Sequence, residues 1–143
     1  MTLMMQREVA ERIVAAPGGK DYGVLSIAVQ FYAEPALNFI VPPSAFYPKP
    51  KVESAVVSFR ILEKRRVDVL DEDFFFKVVK AAFSQRRKTL RNALRSANLP
   101  SITDEILDAV LNKTGIDPKR RGETLSIAEF AKLADTLFCH TSS

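Results

Sequence analysis

Apolar and polar residues in the first part of the chain follow two patterns that are typical of helices. Residues 3–15 have apolar side chains at intervals of about four, with charges between them, and Pro17-Gly18-Gly19 follows them. Residues 21–33 repeat apolar side chains at i, i+3, i+4 and i+7, and Glu34-Pro35 lies directly after the repeat. The sequence therefore predicts two amphipathic helices, each ended by a proline-containing turn.

Two later segments, residues 37–41 and 52–61, are rich in β-branched and aromatic residues, and this composition predicts strands. An isolated pair of strands is marginally stable in water and leaves both of its edges open. The pattern is thus typical of a domain that begins upstream of the first residue. We expect self-association through the exposed strand edges.

After Glu63-Lys64-Arg65-Arg66 the strand pattern disappears, and helical periodicity continues to the end of the chain. Acidic residues 71–73 precede a predicted helix that runs to residue 83; further helices are predicted through residue 94 and over 103–113, the latter closed by Gly115. Ser126-Ile127-Ala128-Glu129 is a capping-box pattern, which predicts the start of a last helix. We predict an α+β chain: residues 1–63 with two helices and two or so antiparallel strands, a linker over 64–70, and a small all-α domain over 71–143.

The loop between the predicted strands is stiffened by proline, which supplies four of the residues 42–50. Proline restricts its own φ and favours extended geometry in the residue before it, so we expect a rigid loop. The loop holds an aromatic pair, Phe46 and Tyr47, flanked by Lys49 and Lys51. Such a group suits a site that stacks a nucleobase and binds the neighbouring phosphate. It also suits a crossover whose aromatic rings pack on the sheet, which the residues alone favour while leaving both interpretations open.

Positive charge is concentrated in residues 74–103, which carry seven basic side chains and no Asp or Glu. The net charge of the whole chain is only +4, so the rest of it is net negative. If this stretch were one helix, six of the seven would form a stripe roughly 100° wide, with Arg86 outside it. A bend near Ser84-Gln85 would break the stripe but keep Arg86-Arg87-Lys88 together. The seven are Lys77, Lys80, Arg86, Arg87, Lys88, Arg91 and Arg95.

Two interpretations of this basic segment are open. The absence of interleaved acids favours contact with a nucleic-acid backbone, because solvated helix faces usually mix signs to gain i,i+4 pairs. The alternative is the solvated face of an ordinary amphipathic helix.

Composition narrows the class of protein. A length of 143 residues with 47% hydrophobic content suffices to bury a core. A single cysteine, Cys139, excludes an internal disulfide, and a single histidine, His140, excludes a zinc site with several Cys and His ligands. No apolar run approaches the ~20 residues that a membrane span needs. We expect a cytoplasmic protein with neither a metal nor a membrane partner.

The usual catalytic groupings are missing. His140 lies near the C-terminus, where fraying makes a poor general base. Gly18-Gly19 lacks the spacing of a phosphate-binding loop. Glu8 and Glu11 each lie near an arginine on one predicted helix, which indicates surface ion pairs. We predict no catalytic, cofactor-binding or metal-binding residue in this chain.

Several motifs taken together resemble one enzyme family. Residues 3–12 read LMMQREVAER, residues 22–26 read YGVLS, the proline loop leads into the second strand, and residues 82–90 read AFSQRRKTL. Gly115-Ile116-Asp117-Pro118, followed by Arg121, Glu123-Thr124-Leu125-Ser126 and Glu129-Phe130, completes the set. The chain closely resembles, over essentially its whole length, the small-subunit ribosomal RNA adenine dimethyltransferases of the KsgA type. The macrolide-resistance methyltransferases share the proline loop but not this ending.

The resemblance implies a Rossmann-like domain that binds S-adenosylmethionine, followed by a small helical domain. It implies dimethylation of two adjacent adenosines near the end of small-subunit rRNA, with the pre-small ribosomal subunit as partner. In the family the glycine-rich cofactor loop and an Asn-Leu-Pro-Tyr motif lie upstream of the segment that begins this chain. We therefore expect a C-terminal half, a remnant of the Rossmann-like domain plus the helical domain, which binds RNA but neither binds cofactor nor catalyses.

The resemblance also implies residue roles. Phe46 matches the aromatic residue that lies against the flipped target adenine, since an enzyme that modifies a base must take it out of the stack. Arg86-Arg87-Lys88 matches a region that contacts rRNA backbone. We count Lys49, Lys51, Lys77, Lys80, Arg91 and Arg95 as further RNA contacts. Two alternatives remain: a self-standing nucleic-acid-binding helical module, and a fragment of a macrolide-resistance-type large-subunit rRNA adenine methyltransferase.

Overall fold

The computed structural model describes residues 1–45, 47–48 and 51–141. The chain divides into two compact units, one of residues 1–16 with 20–66 and one of residues 17–19 with 67–143. Over the described ranges it contains six α-helices and one three-stranded antiparallel sheet. The predicted α+β class is therefore confirmed.

The first unit is built on the sheet. Its strands are β1 (Thr2–Gln6), β2 (Ala33–Val41) and β3 (Ser54–Ile61), in the order β1-β3-β2. Both pairings are antiparallel, and Val57 of β3 lies opposite Leu3 on one side and Leu37 on the other. The sequence predicted two or so strands and located the two that became β2 and β3, but it did not locate β1.

The missed strand lies where the first helix was predicted. The helix predicted over residues 3–15 is wrong at its start: α1 runs Arg7–Val14, and the residues before it pair with β3, from Thr2 opposite Ser58 to Gln6 opposite Ser54. Leucine, methionine and glutamine are good helix formers, but their advantage is a few tenths of a kcal/mol per residue. Ladder hydrogen bonds with β3 outweigh it.

The second helix, α2, runs Val24–Tyr32 and is shorter than the predicted 21–33. Its start is fixed at Gly23, whose carbonyl accepts from the Ile27 N–H (3.1 Å) and whose N–H donates to the Ser26 hydroxyl (3.2 Å). Its end is fixed because Ala33 already belongs to β2. Residues of α1 and the sheet share one core, formed by Ala10, Ala55 and Val57 with Met5, Val14, Leu37, Ile40 and Phe59 packed around them.

The charged segment after β3 is bound to the end of α2. The Arg66 guanidinium donates to the carbonyl oxygens of Gln30 (2.6 Å) and Ala33 (3.1 Å), and a cation at a helix C-terminus is favourable. The Arg65 guanidinium lies 4.6 Å from the centre of the Tyr32 ring, within the range of a cation–π contact. Both arginines therefore hold the end of the first unit to its own second helix.

The second unit is a helical bundle of α3 (Glu72–Phe83), α4 (Leu90–Ser96), α5 (Asp104–Thr114) and α6 (Ile127–Thr141). The helices begin where side-chain caps are available, because a cap satisfies backbone N–H groups that lack a helical partner. The apolar faces meet in a core whose largest fully buried side chains are Phe75, Leu90, Leu107, Leu111, Leu125, Phe130, Leu133 and Leu137.

Local capping chemistry in this unit matches the sequence predictions. Asp71 accepts from the Phe74 N–H (2.9 Å) at the start of α3, and Gly115 adopts a left-handed φ of 74° at the end of α5. Ser126 and Glu129 bind each other's backbone N–H groups (3.2 and 3.0 Å), which is the predicted capping box. The predicted helix starts at Asp71 and Ser126, and the stop at Gly115, are confirmed.

Candidate nucleic-acid interface

The proline loop connects β2 to β3, and part of it belongs to the described residues. Pro43–Ala45 forms a 3-10 turn, and the Ala45 N–H donates to the Pro42 oxygen (3.1 Å). Tyr47 is fully exposed, and Lys51 is exposed as well. Phe46 and Lys49, the predicted adenine contact and one predicted RNA contact, lie outside the described residues.

A cleft of about 560 Å³ lies beside this loop, within the first unit. Its wall combines two cations, Arg7 and Lys51, with three carboxylates; the remaining wall is uncharged. Arg7 is engaged by two of the three: its Nε lies 2.7 Å from Glu11 Oε1, and its Nη1 lies 3.2 Å from both Glu53 oxygens. The third, Glu8, is not bonded to Arg7. The lining residues are Gln6, Arg7, Glu8, Glu11, Pro43, Lys51, Val52 and Glu53.

Glu8 and Glu11 form ion pairs with arginines, as expected from their spacing. Arg12 Nη2 lies 2.8 Å from Glu8 Oε1, and Arg7 pairs with Glu11, both at i,i+4 on α1. The structure therefore supports the interpretation of these two glutamates as surface groups. The bond from Arg7 to Glu53 had no signal in the sequence, because the two residues are 46 positions apart.

The basic segment does not form the continuous helical stripe that one helix would give. The chain leaves the helix between Phe83, which ends α3, and Leu90, which begins α4. The Ser84 hydroxyl donates to the Ala81 carbonyl oxygen (2.6 Å). The Thr89 hydroxyl caps α4 by accepting from the Asn92 N–H. The single-helix stripe is therefore wrong, and the bend considered near Ser84-Gln85 is what the structure contains.

The residues Arg86-Arg87-Lys88 stay together in the exposed turn between α3 and α4. Arg86 lies over the Phe83 ring (5.4 Å) and within 3.8 Å of the Glu123 carboxylate. Lys88 lies 3.4 Å from the Ser96 hydroxyl. Arg87 has no ion pair within the described ranges. Arg87 and Lys88 are thus the members of this turn whose charge no described acid balances.

Lys77 and Lys80 lie exposed on α3, seven and four residues before the helix C-terminal cap at Ser84. Among the residues with described positions, neither forms an ion pair. Both are therefore available, as Arg87 is, to a polyanion in solution.

Two further basic side chains are paired with acids that the sequence had not placed beside them. Arg91 Nε lies 2.6 Å from Asp108 Oδ1, and Arg95 Nε lies 3.3 Å from Asp104 Oδ2. Hydrogen bonding from Arg91 lowers the pKa of Asp108. The segment is free of acids in sequence only, because α5 supplies them from the next helix.

Two other kinds of feature were sought among the described residues. They contain no group of three or more His, Cys, Asp and Glu side chains that could hold a metal ion. None of the helices in these ranges combines the length and apolar character that a membrane crossing requires.

The segments that follow the three strands contain no glycine-rich turn. A glycine-rich turn after a strand is the usual means of bringing backbone close to a nucleotide-type cofactor. Here β1 passes directly into α1, the segment after β2 is rich in proline, and residues 62–71 after β3 also lack glycine. Three of the five glycines have other roles: Gly23 begins α2, Gly115 ends α5, and Gly122 packs against Ala82.

Comparison with known proteins gives a family match over nearly the whole chain. The family model described as "Ribosomal RNA adenine dimethylase" matches residues 1–133. Proteins named "Ribosomal RNA small subunit methyltransferase A" from Bacillus mycoides (strain KBAB4) and Bacillus cereus (strain B4264) are each 52% identical over 143 residues, which is 99% of this chain and 49% of the relative. The chain thus spans about half the length of the curated relatives it matches.

Solved structures agree with this match. A dimethyladenosine transferase from Plasmodium falciparum is 27% identical with a TM-score of 0.76, over 92% of this chain and 54% of that one. The 23S rRNA methyltransferase ErmE has a TM-score of 0.62 over 96% of this chain and 54% of its own, and at 18% identity it shows the fold alone.

Proposed function

Because the chain belongs to the ribosomal RNA adenine dimethylase family, we propose that it forms the RNA-binding part of an enzyme that dimethylates two adjacent adenosines near the end of small-subunit rRNA. S-adenosylmethionine is the proposed methyl donor. The observation that carries the proposal is the 52% identity to the small-subunit methyltransferases over 143 residues. The macrolide-resistance alternative has support from fold likeness only.

We assign RNA-backbone contact mainly to the second unit. Lys77, Lys80 and Arg87 are exposed and unneutralised by any described acid, and Lys88 shares the turn with Arg87. Phosphate contacts supply most of the affinity of such proteins and make it depend on salt. Arg86, Arg91 and Arg95 contribute less in this proposal, because each lies near a carboxylate of its own unit.

We assign base contact to the proline loop. Phe46 is the proposed aromatic surface for the flipped adenine, and Lys49 and Lys51 are the proposed contacts to neighbouring phosphates. The exposure of Lys51 and of Tyr47 in the same loop supports this assignment, since an aromatic ring packed on the sheet would be buried.

We propose that these 143 residues alone bind RNA without transferring a methyl group and without binding S-adenosylmethionine. The lack of a glycine-rich turn after each of the three strands supports this part of the proposal. We propose a domain layout of residues 1–63 from the Rossmann-like domain, a linker over 64–70, and an RNA-binding helical domain over 71–143.

The proposed partner is the pre-small ribosomal subunit, in the cytoplasm. We also propose self-association through β1, which lies at one end of the strand order and carries no charged residue. A strictly monomeric chain by light scattering would exclude that association.

Two measurements test the proposed function. The chain should bind the terminal segment of small-subunit rRNA in filter binding, with affinity that falls steeply as salt rises from 50 to 200 mM. It should show no heat of binding with S-adenosylmethionine by calorimetry. Saturable cofactor binding, or RNA binding that is indifferent to salt, would contradict the proposal.

A further inference from the structure

An ion-pair network lies at the C-terminal end of the proline loop, directly before β3. We propose that Arg7 and Glu53 form a positioning clamp that holds residues 51–53, and with them Lys51, in the arrangement that binds RNA. The inference rests on the proposed RNA binding and adds positioning residues to it. It is carried by the contacts of Arg7 with the loop and by the charge balance of the cleft.

Arg7 contacts Glu53 in two ways. The Arg7 backbone N–H donates to the Glu53 carbonyl oxygen (2.9 Å), and Arg7 Nη1 lies 3.2 Å from both carboxylate oxygens of Glu53. The guanidinium is itself held from α1, since Arg7 Nε donates to Glu11 Oε1 (2.7 Å). Hydrogen bonding to Glu11, followed by the charge of Glu53, raises the pKa of Arg7. The network thus joins the first turn of α1 to the loop.

The position of Glu53 makes these contacts important for the loop. Glu53 comes directly before β3, and strand pairing begins at the next residue, Ser54, which lies opposite Gln6 of β1 and Val41 of β2. Among the described residues, the hydrogen bonds that reach residues 51–53 come from Arg7. Lys51, Val52 and Glu53 all line the cleft, so the clamp fixes one side of its wall.

The exposure of the pair indicates a local effect. The side chains of Arg7 and Glu53 are 46% and 44% exposed, and exposed ion pairs add little to the free energy of unfolding. Loss of the side-chain pair should therefore loosen residues 51–53, which keep only the backbone bond from the Arg7 N–H, while the sheet and helices remain folded.

The charge balance of the cleft provides a decisive test. Three carboxylates and two cations line it, which is unfavourable for a polyanion. By electrostatics alone, neutralising any of the three carboxylates should tighten RNA binding. The clamp predicts the opposite result for Glu53, because its loss lets Lys51 move away from its binding position.

Glu53→Gln and Glu8→Gln form a matched pair of variants. Both remove one negative charge from the same cleft, but Glu8 pairs with Arg12 within α1 and makes no bond to the loop. Glu8→Gln should bind the terminal segment of small-subunit rRNA as tightly as the wild type or more tightly. Glu53→Gln should bind about two- to tenfold more weakly, the cost of immobilising one long side chain.

Hydrogen exchange separates the clamp from the proposed function. The backbone amides of residues 51–54 should exchange faster in Glu53→Gln than in Glu8→Gln, with equal urea midpoints for the two variants. Equal exchange would overturn the clamp, and so would Glu53→Gln binding RNA as tightly as Glu8→Gln. A wild-type chain that binds no RNA would overturn the proposed function and the clamp's role in binding, whereas exchange would still show whether the clamp orders the loop.

Discussion

Arg91 and Asp108 form a two-point ion pair between α4 and α5, with Nε 2.6 Å from Oδ1 and Nη2 3.1 Å from Oδ2. Such paired geometry fixes the plane of the guanidinium as well as its position. A side chain predicted as an RNA contact is therefore already bound by a carboxylate of its own unit. Any phosphate that binds Arg91 has to compete with Asp108.

Removing the carboxylate that pairs with Arg91 should strengthen RNA binding by more than the loss of one negative charge alone explains. Asp108→Asn removes one negative charge and frees the guanidinium, whereas Glu105→Gln removes the same charge from α5, and no ion pair of Glu105 is found among the described residues. The slope of log affinity against log salt should become steeper by about one for Asp108→Asn only, because one further phosphate is bound. Equal slopes for the two variants, by filter binding, would contradict a competing role for Asp108.

The hydroxyl of Ser126 should stabilise α6 as an N-cap. It accepts from the Glu129 N–H at 3.2 Å. Ser126→Ala should lower the free energy of unfolding by about 1 kcal/mol, and Ser126→Gly by only a few tenths. Urea unfolding of both variants measures the losses, and an unchanged free energy of unfolding for Ser126→Ala would show that the hydroxyl does not cap the helix.

Glu129 should make stability depend on pH in the acidic range. Hydrogen bonding from Arg120, with a smaller contribution from the Ser126 backbone, lowers the pKa of Glu129 below its ordinary value of 4.5. A carboxylate with a depressed folded-state pKa stabilises the fold above the unfolded value, and this contribution is lost as the pH falls through the folded value. As the pH is lowered from 4.5, the urea midpoint of the wild type should therefore decrease more steeply than that of Glu129→Gln. Parallel pH profiles would contradict the assignment.

A side chain at Gly122 should destabilise the fold. A Cβ at this buried position would lie 3.0 Å from the backbone oxygen of Ala82 and 3.2 Å from its Cβ, and Ala82 belongs to α3. Gly122→Ala should lower the free energy of unfolding by about 1–3 kcal/mol, the usual cost of overpacking. An unchanged value in urea unfolding would mean that the turn at Gly122–Thr124 moves away from α3 without cost.

Features set by contacts within a few residues were readable from the sequence. The cap at Asp71, the left-handed Gly115 and the capping box at Ser126 each depend on neighbours in the same turn. Features set by distant partners were not. Residues 2–6 became a strand only because β3, about 50 positions later, binds them.

The same limit applies to the candidate interface. The cluster Arg86-Arg87-Lys88 was evident as a run of charge, and its persistence through a bend was foreseen. The neutralisation of Arg91 and Arg95 by α5 was not, because it depends on how two helices pack. The bond from Arg7 to Glu53 joins residues that no local pattern connects.

RNA affinity after charge reversal at Arg87 tests the central claim most directly. Lys132→Glu, on the exposed face of α6 and outside the basic segment, makes the same charge change and serves as the control. We predict that Arg87→Glu weakens binding of the terminal segment of small-subunit rRNA and reduces the salt slope by at least about one, while Lys132→Glu has a clearly smaller effect. If the two reversals weaken binding equally, or if neither does, the basic segment is not the RNA-binding surface.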